Sequence, residues 1–176
     1  MEKRLNVIYS RYLSLRKEVD DLSEKLIKQH SKHMHCKAGC DLCCMDYSIF
    51  PVEFYFILNQ LKQNKFRPKI KVNHHKEDCT FLINHRCNIY NERPVICRTH
   101  GLPLLYMNDK GEWELSACEL NFNEFDMEEF NSENTYPQDI FNSKLFMLNK
   151  EFVKESCEIN NNEIDLVPLK NIIDYL

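Results

Sequence analysis

Glycine, basic charge and long apolar runs are what this chain has least of. Only 3 glycines occur in 176 residues, and no long polar or low-complexity tract is present, so the composition reads as globular rather than disordered. No window of about 18 uninterrupted apolar residues exists, which excludes a membrane span on length. Lys and Arg number 23 against 27 Asp and Glu, for a net charge of -4. A phosphate-binding surface calls for a basic footprint, so nucleic acid is not an expected partner. The opening residues Met1 to Asn6 run straight into charged helical sequence, without the apolar core and small-residue cleavage site of a secretory signal. A cytoplasmic location is therefore expected.

Against these scarcities stands cysteine, at 9 residues. Four fall within the nine-residue stretch Cys36-Lys37-Ala38-Gly39-Cys40-Asp41-Leu42-Cys43-Cys44. Read as a helix, the stretch sets all four sulfurs on one face. Read as a turn around Gly39, it brings them toward one point, as a soft metal ion requires of thiolates. A second group is Cys79, Cys87, Cys97 and Cys118, and Cys157 stands apart as an ordinary thiol. Disulfides are rare in a reducing compartment, and an odd count fits a disulfide framework poorly. The eight clustered thiols are therefore read as metal ligands or catalytic groups.

Adjacent side chains such as Cys43 and Cys44 diverge, which favours more than one metal centre, or a cluster. Eight thiols equal two tetrahedral zinc sites and exceed the four that a [4Fe-4S] cluster needs; spacing alone does not choose. Cys36-x3-Cys40-x2-Cys43 coincides with the cluster-binding triad of radical S-adenosylmethionine enzymes, but the roughly 200 residues of a barrel do not follow it. Arg93 and Arg98 flank Cys97 and are candidates to offset thiolate charge. His100 is a candidate ligand or a hydrogen-bond donor to sulfur. His30, His33 and His35 precede the cysteine run, where surface histidines are the simpler reading.

Hydrophobic periodicity places the elements around these thiols. Leu5, Ile8, Tyr12, Leu15, Val19, Leu22 and Leu26 recur every 3.5 residues, which predicts a helix over 1–30 that packs on its own domain or on a second copy. Pro51 opens a helix to about residue 64. Segments 80–83 and 87–90 read as strands joined across Asn84, His85 and Arg86, and 102–107 with 112–115 as a second hairpin turned at 108–111. The basic segment 64–78, with Pro68, His74 and His75, reads as an exposed connection. Residues 119–133 read as solvated and partly helical, Pro137 opens a helix that stops at Asn160–Asn162, and the tail docks back on the core. The expectation is a small, metal-centred single domain, mainly α with two short β-hairpins: helix 1–30, cysteine core 36–120 and a C-terminal helical segment 121–176.

The motif Cys36-x3-Cys40-x2-Cys43-Cys44, followed by Cys79-Thr80-Phe81-Leu82 and by Cys87-Asn88-Ile89-Tyr90-Asn91-Glu92-Arg93-Pro94-Val95-Ile96-Cys97-Arg98, resembles the YkgJ-type cysteine-cluster family, known as a zinc- or iron-chelating domain. The resemblance implies metal binding at Cys36, Cys40, Cys43, Cys44, Cys79, Cys87 and Cys97, with Cys118 as an eighth ligand. Larger relatives include flagellin lysine methylases, for which an iron-sulfur centre and methyl transfer from S-adenosylmethionine are implied. Three expectations follow: a protein that holds an iron-sulfur cluster or zinc or iron ions, a cluster-dependent methyl-transfer enzyme, or an interaction module with structural zinc. In the last of these the heptad helix recruits a partner or forms a homodimer.

Overall fold

The computed structural model describes residues 2–67, 79–156 and 162–176. Along the chain the elements are α1 (Glu2–Gln29), β1 (Ser48–Ile49), α2 (Pro51–Gln63), β2 (Leu82–Ile83), β3 (Arg86–Cys87), α3 (Val95–Thr99), β4 (Leu104–Met107), β5 (Trp113–Ser116), β6 (Tyr136–Pro137), α4 (Gln138–Glu155) and β7 (Val167–Pro168). The fold is mainly helical with small sheets, as the hydrophobic pattern predicts. Among the described residues no helix is long and apolar enough to cross a membrane. Pro68, His74, His75, Cys157, Asn160 and Asn161 lie outside the described residues.

Helix α1 buries the stripe that its sequence advertises. Ile8, Tyr12, Leu15, Val19 and Leu26 are all at most 4% exposed, and the helix packs on α2, α3 and α4. Each such side chain contributes about 2 kcal/mol relative to exposure. The exposed pairs beside the stripe, Arg4–Glu155 at 3.1 Å and Lys144–Glu18 at 2.5 Å, contribute at most about 1 kcal/mol each. Apolar burial therefore fixes the position of α1. The stripe thus packs on its own domain.

Helix α2 is buried around most of its girth, with Val52, Phe54, Phe56, Ile57, Leu58 and Leu61 inside. Pro51 occupies its first turn, where a missing N–H costs nothing. The next amide, Val52 N, donates to Asn149 Oδ1 at 3.1 Å. Asn149 is fully buried and donates through Nδ2 to the Glu163 carbonyl at 2.8 Å, so one side chain ties α2, α4 and the tail together.

Glu53, on the first turn of α2, is 2% exposed. Its Oε1 accepts from Tyr12 Oη of α1 and from Val95 N at the start of α3, both at 2.9 Å. Three helices thus meet on one carboxylate. Burial raises its pKa, while the Val95 amide, the Tyr12 hydroxyl and the Arg16 charge pull it back.

The two expected hairpins are present. The first is shorter than expected: Leu82 pairs with Cys87 and Ile83 with Arg86, so Arg86 belongs to the strand. The two-residue turn is Asn84 and His85, both at positive φ (50° and 60°), the geometry that matches strand twist in a tight hairpin. The second hairpin pairs β4 with β5 around Asn108, whose Oδ1 accepts from the Lys110 and Glu112 amides. β6 adds to β4 in parallel, and β7 pairs with β1. Leu169 and Ile172 then bury the tail, as expected of a segment that docks back.

Most of 119–133 is exposed, with a short helical turn at Met127–Glu129, as its solvated and partly helical reading has it; Asn121 and Phe122 are the exceptions. Phe122 is buried, and with Phe125 and Phe130 it surrounds the His30 ring at centroid distances of 5.1 to 5.9 Å. His30 is 3% exposed, not a surface residue, and its Nε2 lies 2.7 Å from the Asn134 carbonyl. Helix α4 ends at Glu155, before the asparagine run.

Replacing Glu53 by Ala leaves the Tyr12 hydroxyl and the Val95 amide buried without partners. A loss of about 3 kcal/mol is expected by urea denaturation. Arg4→Ala, at an exposed pair, is expected to leave the midpoint in place.

Candidate metal centre

The nine-residue cysteine stretch is not a helix. It is two successive turns, closed by Cys40 N to the Lys37 carbonyl at 3.0 Å and Cys44 N to the Asp41 carbonyl at 2.8 Å. Gly39 sits within the first of them at φ 96°, a conformation that a side chain would strain. The turn reading therefore holds over the helical one. Outside contacts fix the loop: Cys79 N donates to the Cys44 carbonyl at 3.2 Å, and His85 Nδ1 meets Asp41 Oδ2 at 2.8 Å. Both contacts draw the first hairpin onto the loop.

The eight thiols fall into two neighbourhoods. Cys36 interacts electrostatically with Cys118, Cys40 and Cys43. Cys44 interacts with Cys79, Cys87 and Cys97, and Cys97 in turn with Cys79 and Cys87. Between the neighbourhoods Cys43 and Cys44 are joined by a side-chain hydrogen bond, which holds Cys43 well above the usual thiol range and Cys44 below it. The side chains of these adjacent cysteines therefore meet, where divergence was expected. Among the described residues, no three His, Cys, Asp or Glu side chains already stand in the geometry that holds an ion.

The second neighbourhood is the more deeply built. Backbone N–H groups point at its sulfurs, Phe81 and Leu82 at Cys79 and Ile89 at Cys87. Such bonds favour the thiolate, although burial outweighs them and raises both thiols. Cys97, on α3, is pushed up to about 12, chiefly by burial. Arg93 partly offsets this at Cys43, Cys87 and Cys97. Its guanidinium packs on the Tyr90 ring at 3.6 Å and donates through Nη1 to the Cys97 carbonyl at 3.2 Å, which holds the charge beside the sulfurs. Arg98 does something else. It pairs with Asp20 at 2.8 Å and donates to the carbonyls of Arg93 and Asn91, so it fastens the segment to α1.

The first neighbourhood sits at the rim, with Cys36 exposed. Asn121, 4% exposed, organises it. Its Oδ1 accepts from His35 N at 2.7 Å, and its Nδ2 donates to the Gly101 carbonyl at 2.8 Å and lies 3.4 Å from Cys36 Sγ. Gly101 has φ 89°, and a Cβ there would stand 2.7 Å from Cys36 Sγ. Neither residue carries a sequence signal, because an Asn or Gly in a loop has too many ordinary uses. The structure uses the backbone of His35, and the His33 carbonyl accepts from Phe122 N. The His100 ring lies 5.2 Å from that of Tyr47. Burial, helped by Arg93, lowers its pKa, and its Nε2 is buried without a partner among the described residues.

Residues 35–119 match the model of the CxxCxxCC family, described as "Putative zinc- or iron-chelating domain". This segment is similar to that cysteine-cluster family. No curated protein and no solved structure matches the chain. The donor type fits the family's metals, since soft thiolates suit zinc and iron.

Gly101→Ala is expected to cost about 2 kcal/mol through backbone strain and the clash with Cys36, measured by thermal unfolding. A second expectation concerns pH in metal-free protein. The Cys97 thiol keeps its proton in the fold from its ordinary value of 9.0 up to about 12, whereas the unfolded chain releases it earlier. The stability from burying the neutral thiol is present below pH 9 and is lost as pH rises toward 12. Urea midpoints measured through that window should fall; a flat profile contradicts the burial.

Proposed function

We propose that the protein chelates zinc or iron at two four-cysteine sites, Cys36, Cys40, Cys43 and Cys118 at the rim and Cys44, Cys79, Cys87 and Cys97 beneath it. The observation that supports this is that thiols far apart in the chain lie near enough to interact, Cys36 with Cys118, Cys40 and Cys43, and Cys44 with Cys79, Cys87 and Cys97. Burial disfavours the thiolate form at Cys36, Cys79, Cys87 and Cys97, and thiolates gathered together repel. A divalent cation reverses both effects by displacing the protons and neutralising the charge. When bound, the metal supplies a cross-link between the cysteine loop, the first hairpin, α3 and the strand end at Cys118.

The interaction-module reading has less to stand on, because its recruiting stripe lies in the core of α1. Chelation needs the neighbouring thiols to close further around the ion, since among the described residues no three stand in ligating geometry.

Elemental analysis of anaerobically purified protein, with an absorption spectrum, tests the reading. About two zinc or iron ions per chain are expected. Cys118→Ser and Cys97→Ser are each expected to remove one, with the double variant removing both. Four irons with acid-labile sulfide and a brown colour that bleaches on reduction would replace two separate ions by one cluster. Full metal content in both single variants would overturn the ligand assignment.

A further inference from the structure

The three-stranded sheet, in the order β5–β4–β6, buries one face and leaves the other in solvent. Residues paired across its strands point the same way. On the buried face Leu104 stands beside Tyr136 and both pack into the core. On the other, the register sets Trp113 opposite Met107, Leu115 opposite Leu105, and Pro137 beside Leu105. Ile140 at the start of α4 joins Trp113, Leu105 and Pro137 around a groove of about 350 Å³. Trp113 is 65% exposed, Ile140 57% and Met107 48%. Apolar surface of this kind, gathered on one face and carrying the chain's single tryptophan, marks an interaction site.

Charge and strand geometry define the occupant. From Gly111 to Ser143, the stretch that holds β5, β6 and the start of α4, there are nine Asp and Glu and no Lys or Arg, whereas in the rest of the chain 23 Lys and Arg outnumber 18 acids. Among the described residues none of these nine carboxylates is in an ion pair. Exposed Glu112 and Glu114 flank Trp113, Asp139 precedes Ile140, and Glu133 follows Ser132 of the groove wall. Such a rim repels nucleic acid and anionic lipid, and two copies set face to face would bring the same acids together. A cationic partner is attracted. β5 is also an edge strand, and among the described residues no strand pairs with its outer side, so a further strand can add there. If that strand alternates apolar and cationic residues, one side continues the face of Trp113 and the other lies beside Glu114.

We propose that this face docks an extended, cationic segment of a partner protein along β5, its apolar side chains seated against Trp113 and Ile140 and its Lys or Arg charges met by the acidic rim. The surface is distinct from the buried stripe of α1 and from the thiol groups.

Trp113 is the only tryptophan, so its emission reports this face alone, moving to shorter wavelength when the indole leaves water. The full chain is titrated with three peptides in which isoleucine alternates with arginine, with serine or with glutamate. The arginine peptide is expected to shift the emission saturably, the serine peptide about tenfold more weakly, and the glutamate peptide not at all. Ile140→Ser, at an exposed position, should weaken the arginine peptide about fivefold and keep the thermal midpoint. Glu112→Gln should weaken it about threefold, whereas Asp174→Asn, the same charge change at an exposed position of the tail, should leave it unchanged. Equal affinity for the serine and arginine peptides, undiminished binding in Ile140→Ser, or equal losses in Glu112→Gln and Asp174→Asn overturn the proposal. So does the lack of a saturable shift with the arginine peptide, or a shift that follows protein concentration without peptide, which would assign the face to a second copy.

Discussion

A carboxylate buried among three helices is the constraint on which the arrangement rests. Glu53 sits where water cannot solvate it, and an unpaired charge there would cost several kcal/mol. Hydrogen bonds from the Tyr12 hydroxyl and the Val95 amide remove most of that cost. The requirement works in both directions. Since Glu53 must have these donors, α1 and the start of α3 must lie where they do, and α3 carries Cys97.

The same logic runs along α1. Arg16 and Asp20 lie on the helix surface that faces residues 90–99, and each finds a partner there: Arg16 takes Glu92 at 3.1 Å and the Asn91 carbonyl, and Asp20 takes Arg98 at 2.8 Å. The 28-residue helix is thus a rail against which the segment carrying Cys97 is held. Asn121 does the corresponding work for Cys36. It bonds the cysteine loop at His35 and the turn at Gly101, and it does so three residues after Cys118. Apolar burial sets the frame, and a few buried polar groups fasten together the distant segments that carry thiols.

Much of this was legible in the chain. The 3.5-residue period of α1, the proline at the head of α2 and the turn chemistry at Asn108–Gly111 each rest on local physics, and each element stands where that physics puts it. The elements that were not legible are short or non-local. β6 and β7 have two residues each, too few for a period. His30 looked exposed because its neighbours are polar, yet its cover comes from Phe122, Phe125 and Phe130 about a hundred positions later. Arg93 and Arg98 looked equivalent beside Cys97. Only their partners distinguish the cation near the sulfurs from the one spent on Asp20.

The cysteine chemistry was determined by the sequence itself, because thiol density and spacing express a choice of ligand type that no packing can alter. The elements that carry those thiols were determined there too, since periodicity and turn residues act over a few positions. Which thiols are neighbours was decided only by the tertiary structure. Cys36 and Cys118 are 82 positions apart in the chain yet interact, as do Cys44 and Cys97. Proximity of that kind depends on long-range burial and on single buried polar contacts, and neither leaves a local signature.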